Sequence, residues 1–494
     1  MAYVIGCDLG SQSVKAVVAD AAGALLGRGS ATLETSFPRP GWASQRPGDW
    51  LRAAGEAVRA AMTQAGVAAA EVDAIAFASQ VDGVVAVDRD NSPLADAIIW
   101  MDRRAIREVD EITARVEADR LFQISGLNPD AYHIAPKIRW LIANEPGARD
   151  ADAYLAPSAY INAQLTGRRV MDAANASSSM LYDVTERAWS MPLLEACELR
   201  SEQLGEIAGS ATVAGCLTAS AADQLGLATT CRVAVGTGDD HGACLGAGVL
   251  APGVVCDVTG TAEPIAAVAQ RPVFDATRLL ETHLHADASV WLIENAGFVS
   301  GGSTRWLADL FEISQQELAE LASTAPPQTD GVRFIPALSG SMTPRWNAHA
   351  RGVFSGLALS QQRADLARAV FEGCTFALRD VVDRLDELQL AGKELRCVGG
   401  GARSPFWLQL KADITRRLVR VVDAPEPTAM GAVMLAAIAI GSVTDFEQAA
   451  SVFVRLSPRT YEPDGRLGAL YDEGYRAYRA LFDAVEPTFG ARPC

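Results

Sequence analysis

Val4-Ile5-Gly6-Cys7-Asp8-Leu9-Gly10-Ser11-Gln12-Ser13-Val14-Lys15-Ala16-Val17-Val18 is the stretch on which the fold turns. It reads as a short apolar strand, a polar glycine-bearing turn, and a second apolar strand with Lys15 near its start. The turn brings backbone N–H groups, two hydroxyls and an ammonium to one point, which is what a phosphate needs. Asp8, at the end of the first strand, is placed to hold Mg²⁺ or its water shell beside that phosphate. Taken alone, the stretch reads first as an ordinary β-hairpin with a surface Asp and Lys. The company it keeps along the chain changes that reading.

Strand-like runs at 14–20 and 24–33 continue a meander, and a loop rich in Pro and Gly follows, carrying Trp42 and Gln45. A helix is expected over 49–65 with Asp49 as its N-cap. Residues 72–79 read as a buried strand that leads into Gln80-Val81-Asp82-Gly83, with a returning strand over 84–88. The apolar run 97–100 ends in Met101-Asp102-Arg103-Arg104, where a helix is expected to begin. Polar groups at strand ends are where α/β proteins build sites, so Gln80, Asp82, Trp100 and Asp102 are candidates. The structural alternatives are a cap for Asp102 and core for Trp100.

The segment 105–230 reads as mainly helical. A strand at 233–236 then runs through Thr237-Gly238-Asp239-Asp240-His241-Gly242 into a helix of small residues. Two carboxylates at a helix start serve as caps, or as a general base with a substrate-orienting neighbour. His241 reads as a packed or surface histidine. Near residue 250 the pattern restarts, with strands at 254–258 and 264–268 around Thr259-Gly260-Thr261-Ala262. This repeats the opening in outline and suggests a duplicated unit with a boundary near 245–252.

A third glycine turn follows the strand 394–398. Gly399-Gly400-Gly401-Ala402-Arg403-Ser404 leads to Pro405 as the first helical residue, with Ser404 as N-cap. Three consecutive glycines let a flat or anionic ligand approach the backbone at a helix N-terminus. Tyr471, Tyr475, Tyr478 and Phe482 recur at helical spacing and read as core packing of a closing helix. His283 and His285 alternate on a strand without an evident third ligand and read as structural.

The bulk numbers narrow the class. At 494 residues, two domains or more are expected. A net charge of −17 argues against nucleic acid and anionic membranes, which need a basic field. Nine Cys without a CxxC pair read as reduced cytosolic thiols. Asp8 interrupts the first apolar run, so no signal peptide is expected, and the apolar run 430–440 is too short to span a bilayer. The expectation is a soluble cytoplasmic protein. No P-loop, kinase catalytic-loop or dinucleotide fingerprint occurs.

Together these pieces resemble the FGGY carbohydrate kinases, within the actin, Hsp70 and sugar-kinase superfamily. Asp8-Leu9-Gly10-Ser11 resembles the family's first phosphate loop. Gly352-Val353-Phe354-Ser355-Gly356-Leu357, with Asp365-Leu366 and Ala369-Val370-Phe371-Glu372-Gly373, resembles its C-terminal signature. Pro136-Lys137 to Trp140-Leu141 resembles the other signature, with Ile134 where a small residue is usual. Gly399 to Ser404 is similar to the adenosine-binding turn, and Ala429-Met430-Gly431-Ala432 to the helix start that closes over the nucleotide. Within the family the pattern is most similar to xylulokinases.

The resemblance implies an α/β fold of two actin-like (ribonuclease H-like) domains, 1–247 and 248–494, with a central cleft. It implies ATP and Mg²⁺ as cofactors, Asp8 at the metal and Asp239 as the general base. It places Ser11, Gln12, Lys15, Gly260, Thr261, Gly301, Gly400, Gly401 and Ala402 at ATP. Gln80, Val81, Asp82, Trp100, Asp102 and Asp240 would line the pocket of a small sugar or polyol, a pentulose such as D-xylulose first. Another ketose, a tetritol or pentitol, and a non-catalytic ATP-dependent module are the alternatives; a homodimer is among the expected assemblies. Xylulokinases usually carry His where this chain has Asp82, Asn where it has Asp240, and Glu-Arg where it reads Ser341-Met342. Exchanging donors for acceptor-only carboxylates is expected to alter the preferred hydroxyl pattern.

Overall fold

The structure, a computed structural model, describes residues 2–490. β1 (Tyr3–Leu9), β2 (Ser13–Asp20) and β3 (Leu25–Thr32) form the expected antiparallel meander. β4 (Val72–Ser79) runs parallel to β1 on its other side. β5 (Val213–Cys216) and β6 (Arg232–Ala234) extend the sheet, giving the order β5-β6-β4-β1-β2-β3. β4 is buried at nearly every position rather than at alternate ones, because helices cover both faces of a parallel centre.

The same plan recurs in the second half. β7 (Val254–Val258), β8 (Ile265–Ala269), β9 (Glu281–Leu284) and β10 (Trp291–Asn295) are joined antiparallel. β11 (Glu394–Val398) and β12 (Leu418–Val422) continue parallel from β7, and β13 (Leu456–Tyr461) closes the edge antiparallel. The order is β9-β10-β8-β7-β11-β12-β13. Each sheet thus carries an antiparallel meander on one flank of its first strand and parallel strands on the other. The duplication suggested by the restart near residue 250 is present in the topology although the two sequences differ.

One helix joins the halves. Pro427–Ala439 is apolar around its circumference, as a helix buried on all sides must be. A Cβ at Gly6 would lie 2.0 Å from the Ala429 carbonyl oxygen, and one at Gly431 would lie 2.1 Å from that of Gly242. The helix therefore rests backbone-to-backbone on β1 and on the helix Asp239–Gly246.

Four local readings are corrected. The first helix starts at Pro47 with Arg46 at the N-cap, so Asp49 lies inside the first turn rather than capping it. Val85–Val87 does not return along β4; it pairs with Ala153–Leu155, because the left-handed Asp82 (φ 57°) redirects the chain. After Trp100 the helix begins only at Ile106, since Asp102 turns back on Arg104. The segment 105–230 is less helical than expected: helices take a little under half of it, with short strands and loops between them. The aromatic stripe of the last long helix is core, with Tyr471, Tyr478 and Phe482 buried. Eight cysteines are free thiols, seven of them buried; Cys494 lies outside the described residues. Among the described residues no helix is long and apolar enough to cross a membrane.

Candidate active site

β1 ends at Leu9 beside Ser79, and Thr237–Gly238 pairs with Ala78 and Ser79, so Asp8, Gln80 and Asp239 emerge at one end of the sheet. Gly238 occupies the N-cap, and Asp239 is the first residue of its helix. Asp239 Oδ1 accepts the Asp240 N–H at 3.1 Å, and Asp240 Oδ1 accepts the His241 N–H at 2.8 Å. Burial, followed by the neighbouring Asp240 and Asp8 carboxyls, pushes the Asp239 carboxyl well above the ordinary range. Asp240 is raised by burial as well. Asp8 is pushed to about 6 by burial, with Lys15 pulling the other way. Lys15 Nζ lies 3.6 Å from Asp8 and 2.9 Å from Glu426. One ammonium serves two carboxyls, with Asp239 and Asp240 beyond them, which is the imbalance that a bound cation corrects.

The turn after β1 is held open from behind. Gln45 Nε2 donates to the Ser11 carbonyl at 2.6 Å, and Leu33 N–H donates to that of Gln12 at 2.8 Å. Gln45 Oε1 accepts from Gln80 Nε2 at 2.9 Å and from the Trp50 indole at 2.8 Å. Gln80 Oε1 has no partner. Gln12 and Lys15 keep exposed side chains, while Ser11 and Val81 are partly covered.

Asp82 points the other way, into a seam between the two sheets. His133 Nδ1 lies 3.2 Å from Asp82 Oδ1, and His133 Nε2 lies 3.8 Å from Glu281 of β9. Tyr132 donates its hydroxyl to Glu281 at 2.7 Å. Burial alone would lower the His133 pKa, but Asp82 and Glu281 outweigh it and carry the ring to about 10. Glu281 is held below the ordinary range because His133 outweighs its burial. His283 Nε2 lies 3.2 Å from Glu294, which faces Asp240. The folded His133 binds its proton more tightly than a free histidine near 6.5, so its stabilisation is complete below that pH and is lost as pH rises through about 10. Thermal stability should fall across this window in the parent chain and fall less in His133→Gln; an equal slope would contradict the pair.

Trp100 is 39% exposed and so is not core. Asp102 is fully buried, and its carboxylate accepts from the Ala43 N–H at 2.5 Å and from Arg104 Nε at 2.8 Å. Its oxygens are committed to that turn. In the second half, the candidate glycines gather around one residue. Thr259 N–H donates to the Val398 carbonyl at 3.0 Å, and the Thr259 carbonyl accepts from Gly401 N–H at 3.1 Å. The Thr261 carbonyl accepts from Gly302 N–H at 3.0 Å, which brings Gly260, Thr261, Gly301, Gly400 and Gly401 together. Ala402 follows in the same turn, and Ser404 caps the helix Pro405–Thr415 as expected.

Residues 3–246 match the N-terminal domain, and 257–440 the C-terminal domain, of the FGGY family of carbohydrate kinases. The chain belongs to that family. It is 32% identical to glycerol kinase of Thermococcus gammatolerans, over 91% of this chain and 92% of that one. It is 30% identical to xylulose kinase of Escherichia coli, over 98% and 99%. A solved structure of xylulose kinase from Rhodospirillum rubrum, 28% identical, superposes with a TM-score of 0.89 over 99% of both chains.

As an FGGY kinase the chain is an ATP-dependent carbohydrate phosphotransferase, and its acidic corner can be tested against the metal that ATP brings. Among the described residues no group of three or more His, Cys, Asp or Glu forms a cage for a metal ion. Mg²⁺ is commonly held by one or two carboxylates together with phosphate and water. Asp8 is the fitting carboxylate, with Asp239 close by. Sequence reading did not single out Glu426, His133, Glu281 or Glu294. The partners of Glu426, His133 and Glu281 lie far off in sequence, and Glu294 meets His283 across two neighbouring strands, so the fold reveals them. His285 is structural as expected, its Nδ1 accepting the Asp287 N–H at 3.0 Å. His283 is buried too, with Ser178 Oγ 3.2 Å from its Nδ1 and Glu294 3.2 Å from its Nε2.

Proposed function

We propose that this kinase transfers the γ-phosphoryl group of MgATP to a hydroxyl of a small neutral ketose or polyol, with a pentulose such as D-xylulose the first candidate and Asp239 the general base. The observation that carries this is Asp239 itself. It is a partly covered carboxyl with raised proton affinity, at a helix start, beside Asp8 at the mouth of the first phosphate turn. A base poised nearer neutral pH shares the proton of a hydroxyl better than an ordinary carboxylate does. The hydroxyl gives its proton to Asp239, its oxygen bonds to the γ-phosphorus, and the bond to the β–γ bridging oxygen breaks to release ADP. Lys15 and the amides of the Ser11–Gln12 turn neutralise the phosphates, while Gly260, Thr261, Gly301 and the 400–402 turn seat the nucleotide. When bound through Asp8, Mg²⁺ supplies further charge neutralisation.

Val81, Trp100 and Asp240 are assigned to the substrate pocket, with Gln80, Asp102 and the His133-paired Asp82 supporting its walls from behind. Acceptor-only carboxylates favour a ligand rich in hydroxyl donors and oppose an anionic sugar acid. The gap between the two matched segments supports a domain division at 247/248. The test is ADP release with MgATP across D-xylulose, other ketoses, glycerol, tetritols, pentitols and gluconate. The expected result is a strong response to one neutral compound and little without it. A response to gluconate alone would overturn the pocket assignment.

A further inference from the structure

Beneath the glycine turns of the second half lies a charge cluster that the mechanism does not use. Lys411, on the helix Pro405–Thr415, is 1% exposed. Its Nζ donates to Asp257 Oδ2 at 2.5 Å, to Thr259 Oγ1 at 2.5 Å and to Glu263 Oε1 at 2.8 Å. An ammonium has three N–H donors, and all three are spent here. Asp257 is the penultimate residue of β7, and Thr259 and Glu263 flank Gly260-Thr261. Thr259 also donates its hydroxyl to Asp257 at 2.9 Å and holds Gly401 through its carbonyl. Glu263 N–H donates to the Phe298 carbonyl at 3.0 Å, three residues before Gly301. One buried ammonium therefore clamps the segment 257–263, whose own backbone hydrogen bonds reach the segments that carry Gly301 and Gly400-Gly401. Two carboxyls share this single cation, and burial holds the Glu263 carboxyl up at about 8 so that the cluster stays near neutrality.

We propose that Lys411 is a positioning residue for the nucleotide: without touching ATP, it fixes the three turns in the relative arrangement that accepts it. The proposal rests on the reading that these turns bind ATP. It predicts a selective defect. Removing the ammonium leaves buried carboxyls uncompensated and separates the turns, while the sugar side of the site, built on the first sheet, keeps its own supports.

The experiment compares ADP affinity by calorimetry with the KM values for ATP and for the hydroxyl substrate. In Lys411→Met, ADP binding should weaken and the KM for ATP rise by about tenfold or more, with the KM for the hydroxyl substrate unchanged. Glu263→Gln keeps the Lys411–Asp257 pair and should shift the same two quantities by about threefold, in the same direction. Unchanged ADP affinity in folded Lys411→Met, or equal losses for both substrates, would overturn the proposal. Should Lys411→Met not fold, Glu263→Gln decides, and unchanged ADP affinity there would overturn it too. A parent chain that binds no ADP would instead overturn the reading of the turns themselves.

Discussion

Asp239→Asn should lower phosphoryl transfer by about 10²–10⁴-fold, the range lost with a general base, while leaving MgATP binding and the fold intact. Asn has the shape of Asp and keeps the acceptor oxygen that meets the Asp240 N–H, so the helix start is retained. It cannot take the proton of the attacking hydroxyl. The same substitution removes one carboxyl from a crowded acidic corner, so nucleotide affinity should hold or rise. A kcat drop at constant nucleotide affinity separates loss of a base from loss of a binding contact. Turnover within a few-fold of the parent chain would remove Asp239 from the chemistry.

The largest structural effect is expected at Gly431. A side chain there meets the Gly242 carbonyl oxygen at 2.1 Å, a backbone atom that cannot rotate aside. Gly431→Val must part the helix Pro427–Ala439 from the helix that carries Asp239. Overpacking costs about 1–3 kcal/mol where side chains can shift, and a contact of backbone with backbone belongs at the top of that range or above it. We expect a large loss of soluble protein and of the thermal transition. Gly48 is the control: nothing lies within 4 Å of its Cβ position, so Gly48→Ala in the first helix should be neutral or slightly stabilising. Equal stability of Gly431→Val and the parent would mean that the two halves do not meet as described.

The sequence made the local units legible because each carries its own signal. The apolar alternation around the Asp8 turn, Pro405 after Ser404 and the Tyr471–Phe482 stripe are decided within a few residues. The helix Pro427–Ala439 was visible as an apolar run too short for a bilayer, but its neighbours were not, since an apolar run does not say which surface it covers. The candidate site divides in the same way. Asp8, Lys15 and Asp239 sit in recognisable turns, and the fold brings them to one corner. Asp102 was legible as a polar residue at a strand end, yet its carboxylate is taken up by Ala43 and Arg104, which spacing cannot show. The pairs Lys15–Glu426, His133–Glu281 and Lys411–Asp257 join residues more than 140 positions apart, so no local pattern announces them.

The most direct test follows where the phosphorus goes. The chain is incubated with MgATP and the compound that stimulates ADP release, and ³¹P spectra of the mixture are recorded over time. The account predicts loss of the γ-phosphorus signal matched by a new phosphomonoester on the acceptor, absent with Asp239→Asn. Release of inorganic phosphate without a phosphorylated acceptor would contradict it.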